Sequence, residues 1–259
     1  MADDERIETE TAPKRKGGGL RGLLRETLIL VVMVLVASTL LRMFLLQVFV
    51  IPSGSMENTL LIGDRVAVQK VVGIERGDIV VFADDLGWLP PVNKADVAPW
   101  QSALMFVGLL PDASQNYLIK RVIGMPGDHV TCCTTGGQLS VNGQPLEEAS
   151  YLYSDVAGQV RPSEVEFNIV VPEGKIFVMG DHRNESADAR CHLAVDNNGV
   201  LGGLAFVSQK SVVGSAVATV FPFNRFEVHS RPATFTGVPA PVQPAPAQPV
   251  INGQPPPAC

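Results

Sequence analysis

Two serines near the start of the chain have the residue type and spacing that hydrolytic chemistry needs. Ser53 and Ser55 flank Gly54 in the segment IPSGSMENTL, residues 51–60. A serine hydroxyl acts as a nucleophile only where a neighbouring base accepts its proton, so such a site also requires a base. Segments of Ser, Gly and Pro commonly form turns, and on composition alone this segment favours a turn.

Lys120 is the candidate base. It lies in the middle of the run YLIKRVIG, residues 117–124, whose composition and alternation predict a β-strand. Side chains alternate between the two faces of a strand, so Leu118 and Val122 would share a mostly apolar face with Lys120. The lysine would then be either a surface residue with its amine in water or a desolvated one. Desolvation lowers the pKa of an amine, which allows the neutral form to act as a base.

A third polar segment follows the strand-like run KIFVM. It reads GDHRNESADAR, residues 180–190, and carries charges of both signs. Charged loops are ordinarily solvated surface, and by itself this loop predicts nothing more. The three segments lie far apart in the chain, so only the fold could bring them together.

The elements that would position these segments begin with a membrane anchor. Residues 27–50 are mostly apolar, with Arg42 as the only charge, and a helix that crosses a membrane needs about 20 apolar residues. We therefore predict a transmembrane helix over residues 27–48. Basic residues precede it, which places residues 1–26 in the cytoplasm and the rest of the chain outside. They are Lys14, Arg15, Lys16, Arg21 and Arg25.

The alternative to an anchor is a secretory signal that is cleaved from the mature protein. Residues 28–41 have about the length of a long apolar signal core. However, the chain continues after Arg42 as MFLLQVFVI and shows no region of small residues for cleavage. The sequence therefore favours an anchor that is retained.

The chain beyond the anchor has an all-β pattern. Short β-rich runs are separated by turn signals, of which Asn142-Gly143 is a strong hairpin signal. We predict a mainly β fold, with an N-terminal transmembrane helix followed by an extracytoplasmic antiparallel β domain over residues 49–230. The runs lie at residues 65–72, 78–83, 117–124, 138–143, 175–180 and 211–221.

Two segments depart from this pattern. Residues 84–116 look like an insertion, whose apolar residues would either rest on the bilayer interface or pack against the domain. Residues 231–259 are rich in proline and predict an extended, disordered tail. The apolar residues of the insertion are Trp88, Trp100, Leu104, Met105, Phe106, Leu109 and Leu110.

The composition excludes several classes of protein. The chain has 259 residues, of which 46% are apolar, and a formal net charge of −6. It can therefore bury a core, and it lacks the excess of basic residues typical of a nucleic-acid-binding protein. Cys132 and Cys133 are adjacent and form no CxxC motif, so a structural zinc site is not expected. We expect no metal, no cofactor and no nucleic-acid partner.

The three polar segments, in this order, resemble those of type I signal peptidase, the membrane-anchored serine protease that removes secretory signal peptides. The resemblance covers residues 20–225. It implies a serine endopeptidase in the plasma membrane, with preproteins that bear signal peptides and membrane lipid as its partners. The blocks that recur in the family's order are IPSGSM, GDRV, GDIVVF, LIKRVIGMPGD and GDHRNESADAR.

The resemblance also implies roles for single residues. Ser55 would be the nucleophile and Lys120 the general base. Ser53 would contribute its side chain to the oxyanion hole, and Ser186 would orient the lysine amine. The residues that would hold the polar loop against the site are Asp181, Arg183, Asp188 and Arg190.

The pockets beside the nucleophile follow from the same resemblance. Their small apolar walls imply cleavage after Ala-x-Ala-like sequences. The chain departs from the family's common pattern at His182, Asn184 and Glu185, none of which has an implied chemical role. The implied pocket residues are Phe49, Ile51, Pro52, Leu60, Leu118 and Ile119.

Other functions fit the sequence less well. A Ser-His-Asp triad has four histidines to draw on, but the chain has no GxSxG turn. An SxxK motif starting at Ser55 would need a lysine where Asn58 stands. The alternative from outside the enzymes is a membrane-anchored β module for adhesion or scaffolding.

The cysteines predict one disulfide if the domain faces an oxidising compartment. The candidates are Cys132, Cys133 and Cys191, with Cys259 as the unpaired residue. We favour a bridge from Cys191 to one of the adjacent pair over a bond within the pair. The long bridge would close a loop of roughly 60 residues, and chain entropy would make it worth about 4 kcal/mol.

Overall fold

The computed structural model describes residues 20–91, 98 and 116–256. The chain divides into two compact units, Met1–Leu40 and Leu41–Cys259. The first 19 residues of the predicted cytoplasmic segment lie outside the described residues. So do six of the seven apolar residues named for the predicted insertion, which are Trp100, Leu104, Met105, Phe106, Leu109 and Leu110.

Helix α1, Leu20–Phe44, contains the apolar stretch predicted to cross a membrane. Within the described part of the chain, residues 22–39 are the one helical segment that is long and apolar enough for a span. The structure corrects the end of the predicted span of 27–48, because Leu46–Val50 form a strand. Every second residue of this strand is exposed, and the strand is as apolar in composition as the helix before it. Its backbone, however, pairs with another strand.

The described residues after the helix form short antiparallel strands and 3-10 turns. The strands are β1 Leu46–Val50, β2 Arg65–Gln69, β3 Ile79–Ala83, β4 Tyr117–Gly124, β5 His129–Cys132, β6 Ser140–Val141, β7 Gln144–Pro145, β8 Ser154–Asp155, β9 Gly158–Gln159, β10 Phe167–Val170, β11 Lys175–Met179, β12 Asp196–Asn197, β13 Val200–Leu201, β14 Val207–Ser208, β15 Val212–Phe221, β16 Glu227–Val228 and β17 Val250–Ile251. The 3-10 helices are Gly54–Met56, Arg183–Glu185, Ala189–His192, Gln209–Ser211, Phe223–Arg225 and Ala233–Phe235.

Most of these strands belong to two sheets. The larger sheet has the order β1-β2-β15-β3-β4-β11-β14, and β16 pairs with β15. The smaller sheet has the order β17-β10-β5-β6-β7, and two ribbons, β8-β9 and β12-β13, complete the set. Strands β1, β4 and β11 of the larger sheet lead into or carry the three segments named from the sequence. The prediction of a mainly antiparallel β domain after one apolar helix is confirmed.

Strand β4 separates two apolar clusters. Ile119 packs in one cluster, whereas Leu118 and Val122 pack in another together with Val80 of β3. Val80 is also the cross-strand partner of Lys120. Lys120 therefore lies on the mostly apolar face that strand alternation predicts.

The proline-rich end of the chain differs from the disordered tail predicted for residues 231–259. Phe235 and Val238 are buried in the core, and β17 pairs with β10. The carbonyl oxygens of Pro239 and Pro246 accept hydrogen bonds from the Asn142 side chain and the Glu173 backbone. Composition misleads here because proline lacks the backbone donor but keeps the acceptor, so the surface of the domain can hold it.

Of the seven apolar residues named for the predicted insertion, Trp88 is the one that the structure describes, and it packs against the domain. Its indole N–H donates to the carbonyl oxygen of Leu204 at 2.8 Å. Its ring stacks on His192 and meets the edge of Phe82. Of the two placements left open for the insertion, Trp88 takes the one against the domain.

The predicted long disulfide does not form. Cys132 and Cys133 are bonded to each other, and Cys191 is itself in a disulfide. Neither member of the pair is then available to Cys191. Each sulfur forms one disulfide bond, so the entropy of a long loop cannot favour a bridge to a cysteine that is already paired. The prediction for Cys259 lies outside the described residues.

Candidate active site

The two serines lie on a tight turn that follows β1. Ser53 is extended and directly precedes the 3-10 helix Gly54–Met56, in which Ser55 is buried. The Leu60 amide donates to the carbonyl oxygen of Met56, which continues the turn. The turn prediction is therefore correct, and the turn also holds the Ser55 side chain in the interior.

Lys120 lies on strand β4, which contacts the serine turn, and its side chain reaches Ser55. The ammonium nitrogen Nζ lies 2.5 Å from Ser55 Oγ, although the two residues are 65 positions apart. Lys120 is 3% exposed and Ser55 7%. Of the two alternatives for this lysine, the structure shows the desolvated one.

Burial changes the protonation of Lys120. Removal from water lowers its pKa from the ordinary value of 10.5 to about 8, although the carboxylates of Asp188 and Asp181 act to raise it. Only the neutral form of the amine has a lone pair that can accept a proton. At a pKa of about 8, that form is a substantial fraction near neutral pH.

The polar loop packs directly against the serine turn. The His182 amide donates to the carbonyl oxygen of Ser55 at 3.1 Å. The Thr59 hydroxyl donates to the carboxylate of Asp181 at 2.6 Å, and Arg121 donates two hydrogen bonds to the same carboxylate. The loop is thus a buried wall of the site, not the solvated surface that its composition suggests.

These observations coincide with a match to a known family. The family model described as signal peptidase, peptidase S26, matches residues 24–221. The chain belongs to this family.

Three proteins illustrate the match. The chain is 35% identical to the signal peptidase I of Mycobacterium tuberculosis, over 80% of this chain and 76% of that protein. It is 34% identical to a probable signal peptidase I-1 of Synechocystis, over 84% of this chain and 91% of that protein. A solved signal peptidase I from Enterococcus faecalis V583 aligns with 56% of this chain and 97% of that chain, at 23% identity and a TM-score of 0.31.

Membership in the signal peptidase family decides between the functions left open by the sequence. The chain is a serine endopeptidase of the signal peptidase I type, which removes the alternative of an adhesion or scaffold module. With its long apolar N-terminal helix, it is a membrane-anchored enzyme.

Asp188 and Arg190 stabilise the polar loop, residues 180–190, through hydrogen bonds between its own residues. The carboxylate of Asp188 accepts hydrogen bonds from the Gly180 amide at 3.0 Å and from the Arg190 guanidinium at 2.8 Å. Burial acts to raise the pKa of Asp188, but the Arg190 cation and the hydrogen bonds to the carboxylate together outweigh it, and the net pKa lies below the ordinary value. Asp188 therefore stays a carboxylate, and its charge faces the neighbouring Lys120.

A second buried ion pair, which the sequence analysis missed, supports the loop from behind. Arg183 donates to Glu148 at 2.6 Å, and the Tyr151 hydroxyl donates to the same oxygen at 2.7 Å. Arg183 also donates to the carbonyl oxygen of Gly180. A buried arginine requires an anionic partner. No local pattern, however, shows that this partner is Glu148, 35 residues earlier.

The two remaining serines are placed differently. Ser53 Oγ lies 3.5 Å from Ser55 Oγ and is exposed, which leaves its hydroxyl open to a bound molecule. Ser186 is buried beside Gly180, and its hydroxyl is close enough to the Asp188 carboxylate to help lower the pKa of that group, but it completes no hydrogen bond of normal geometry in the described part of the chain. The structure thus brings Ser53 to the nucleophile but does not join Ser186 to Lys120 by a hydrogen bond.

Four of the six implied pocket residues come together. They pack in one apolar cluster with Met56, the residue after Ser55. Pro52 is exposed next to Ser53, whereas Leu118 packs in the cluster on the other side of β4. The four residues are Phe49, Ile51, Leu60 and Ile119.

Proposed function

We propose that the chain cleaves signal peptides from secreted preproteins with Ser55 as nucleophile and Lys120 as general base. The observation that carries this proposal is the buried contact of 2.5 Å between Lys120 Nζ and Ser55 Oγ. Neutral Lys120 takes the hydroxyl proton as Ser55 Oγ attacks the scissile carbonyl carbon. The ammonium then returns the proton to the departing amine. Water, deprotonated by the same lysine, releases the acyl group and regenerates Ser55.

The oxyanion that forms on the carbonyl oxygen needs donors fixed in advance. We assign this role to the Ser53 hydroxyl and the Ser55 backbone N–H, since preorganised donors stabilise developing charge. Ser186 is assigned to orienting Lys120. Its hydroxyl completes no hydrogen bond of normal geometry among the described residues, so it is available to the amine whenever Ser55 is bonded to substrate. The chemistry so assigned uses no metal and no cofactor.

The membrane topology is part of this proposal. Helix α1 crosses the plasma membrane once, with residues 1–26 in the cytoplasm and the β domain outside. Ser55 follows the helix end, Phe44, by only 11 residues, so the chain keeps its nucleophile near the outer surface. A signal peptide whose apolar core lies in the bilayer presents its cleavage site at the same level. Membrane lipid and preproteins are then the partners, and nucleic acid is not one.

Cleavage is expected after Ala-x-Ala sequences. The pocket cluster is nearly closed, because Ile51 is 2% exposed, Leu60 0% and Ile119 6%. Such walls admit a methyl group more readily than a ring. Incubation of the enzyme with a preprotein, followed by sequencing of the new N-terminus, should locate the cut directly after such a site. A substrate with Trp just before the scissile bond should be processed at least about tenfold more slowly; equal rates would contradict the pocket assignment.

The dependence of activity on pH tests the lysine base. Below pH 8 the Lys120 ammonium cannot accept a proton, and above pH 8 the neutral amine can, because burial holds the pKa at about 8. We expect kcat/KM for a signal-peptide substrate to rise between pH 6 and 10 with a midpoint near 8. A rate that is flat across this range, or a midpoint near 10.5, would contradict a desolvated lysine as the base.

A further inference from the structure

An open cleft of about 600 Å³ begins at the serine turn. We call it the acidic cleft. All six pocket residues, from Phe49 to Ile119, belong to the described part of the chain, and none of them lines this cleft. Its lining consists of Ser53, Gly54, Glu57, Tyr153, Asp155, His182, Asn184 and Glu185.

The position of the acidic cleft indicates which part of a substrate would enter it. In a substrate bound for cleavage at Ser55, the residues before the scissile bond occupy the pocket cluster on one side of the nucleophile. The residues after the scissile bond must leave in another direction. The acidic cleft starts at Ser53, next to the nucleophile, and shares no lining with the pockets. It therefore offers a path for the first residues of the mature protein, an inference that rests on the proposed function.

The wall of the cleft contains a buried histidine beside one of its carboxylates. The His182 ring stacks on Tyr153 with a centroid distance of 3.8 Å, and His182 is only 8% exposed. Its Nδ1 is buried and faces the Glu57 carboxylate at 3.3 Å. The stacked ring therefore forms a rigid wall that holds Glu57 at the cleft, and the carboxylates are the charged groups that the cleft offers to a peptide.

The charge of the cleft has one sign. Glu57, Asp155 and Glu185 line it, and no lysine or arginine is among its described lining residues. Asp155 and Glu185 are exposed, whereas the Glu57 side chain is 29% exposed. Carboxylates arranged in this way attract a cationic side chain and repel an anionic one.

We propose that the acidic cleft binds the first residues of the mature protein and selects a lysine or arginine over an aspartate or glutamate within the first three positions. Each exposed carboxylate contributes a small factor, and three together should give a preference of about tenfold. Glu57, Asp155 and Glu185 are then specificity-determining residues for the reaction assigned to Ser55 and Lys120. The preference should shrink as salt screens the carboxylates.

The experiment uses the full chain in detergent and preproteins with one Ala-x-Ala site. Lysine or glutamate is placed at the first, second or third residue after the scissile bond, and kcat/KM is measured for each. The ratio of lysine to glutamate substrates cancels any general loss of activity in a variant. We expect a ratio of about 10 at one position at least, and a ratio within twofold at all three positions would overturn the proposal.

Substitutions of the cleft carboxylates test whether they cause the preference for lysine over glutamate. Asp155→Asn with Glu185→Gln changes only exposed side chains and should lower the ratio to about 2, Glu57→Gln alone should lower it to about 5, and the triple variant should bring it close to 1. The control is Glu173→Gln, an exposed carboxylate outside the cleft lining, which should leave the ratio unchanged. A ratio that survives in the triple variant would overturn the proposal. Cleavage that persists after Ser55→Ala would instead overturn the proposed function, so the two failures are distinguishable.

Discussion

Replacement of Ser55 by Ala, or of Lys120 by Ala or Arg, is expected to lower kcat on the order of 10⁴-fold or more. Alanine at position 55 removes the attacking oxygen. Arginine at position 120 keeps a positive charge, but its guanidinium does not lose a proton in proteins and so cannot serve as a base. The measurement is cleavage of a preprotein under single-turnover conditions, with folding checked by circular dichroism.

The two residues are also expected to act as a unit. The variant with both Ser55→Ala and Lys120→Ala should be little slower than either single variant, because each change alone already abolishes the same step. Ser53→Ala should retain activity at a rate reduced about 10²–10³-fold, the usual cost of one oxyanion donor. Near-normal activity in the Lys120→Arg protein would contradict the assignment of the base, whereas multiplicative losses would contradict a shared step.

Gly180→Ala is expected to lower kcat by on the order of 10²-fold, although position 180 takes no part in the chemistry. A Cβ at this position would overlap the hydroxyl of Ser186 and the carbonyl oxygen of Ser55. The serine turn and the loop would have to move apart, which displaces Ser55 Oγ from Lys120 Nζ. Displacement of a reacting group by about 1 Å costs this much in rate.

The matched control for this substitution is Gly237→Ala. A Cβ on Gly237 meets no atom within 4 Å, so the same chemical change should leave kcat within about twofold. Both variants should be compared by kcat and by melting temperature. A Gly180→Ala enzyme with the activity of the Gly237→Ala control would show that the close contact between loop and turn is not required.

The positions of several strands follow from the sequence because strand periodicity is local. The run at residues 117–124 coincides with β4, Tyr117–Gly124, and alternation along it places Lys120 on the same face as Leu118 and Val122. Neighbouring residues along the chain determine this pattern, so no knowledge of the partners is needed. The runs around β3 and β15 coincide with the structure to within a residue for the same reason.

The boundary between helix and strand could not be read in the same way. Residues 27–50 are mostly apolar on both sides of the boundary, and composition cannot show that the helix ends at Phe44 and that β1 begins at Leu46. Pairing with β2 decides it, and β2 lies about 20 residues further along the chain. The proline-rich end is a similar case, because its place on the domain depends on donors from Asn142 and Glu173 and on the pairing of β17 with β10.

The chain by itself determined which residue types are available to the site, namely Ser53, Ser55, Lys120 and the loop at 180–190. Only the tertiary structure decided their environment. It set the distance of 2.5 Å between Lys120 and Ser55 and the burial that lowers the lysine pKa. It also paired Arg183 with Glu148. The physical reason is that desolvation and pairing depend on what lies across the fold, whereas motif and periodicity are properties of neighbouring residues.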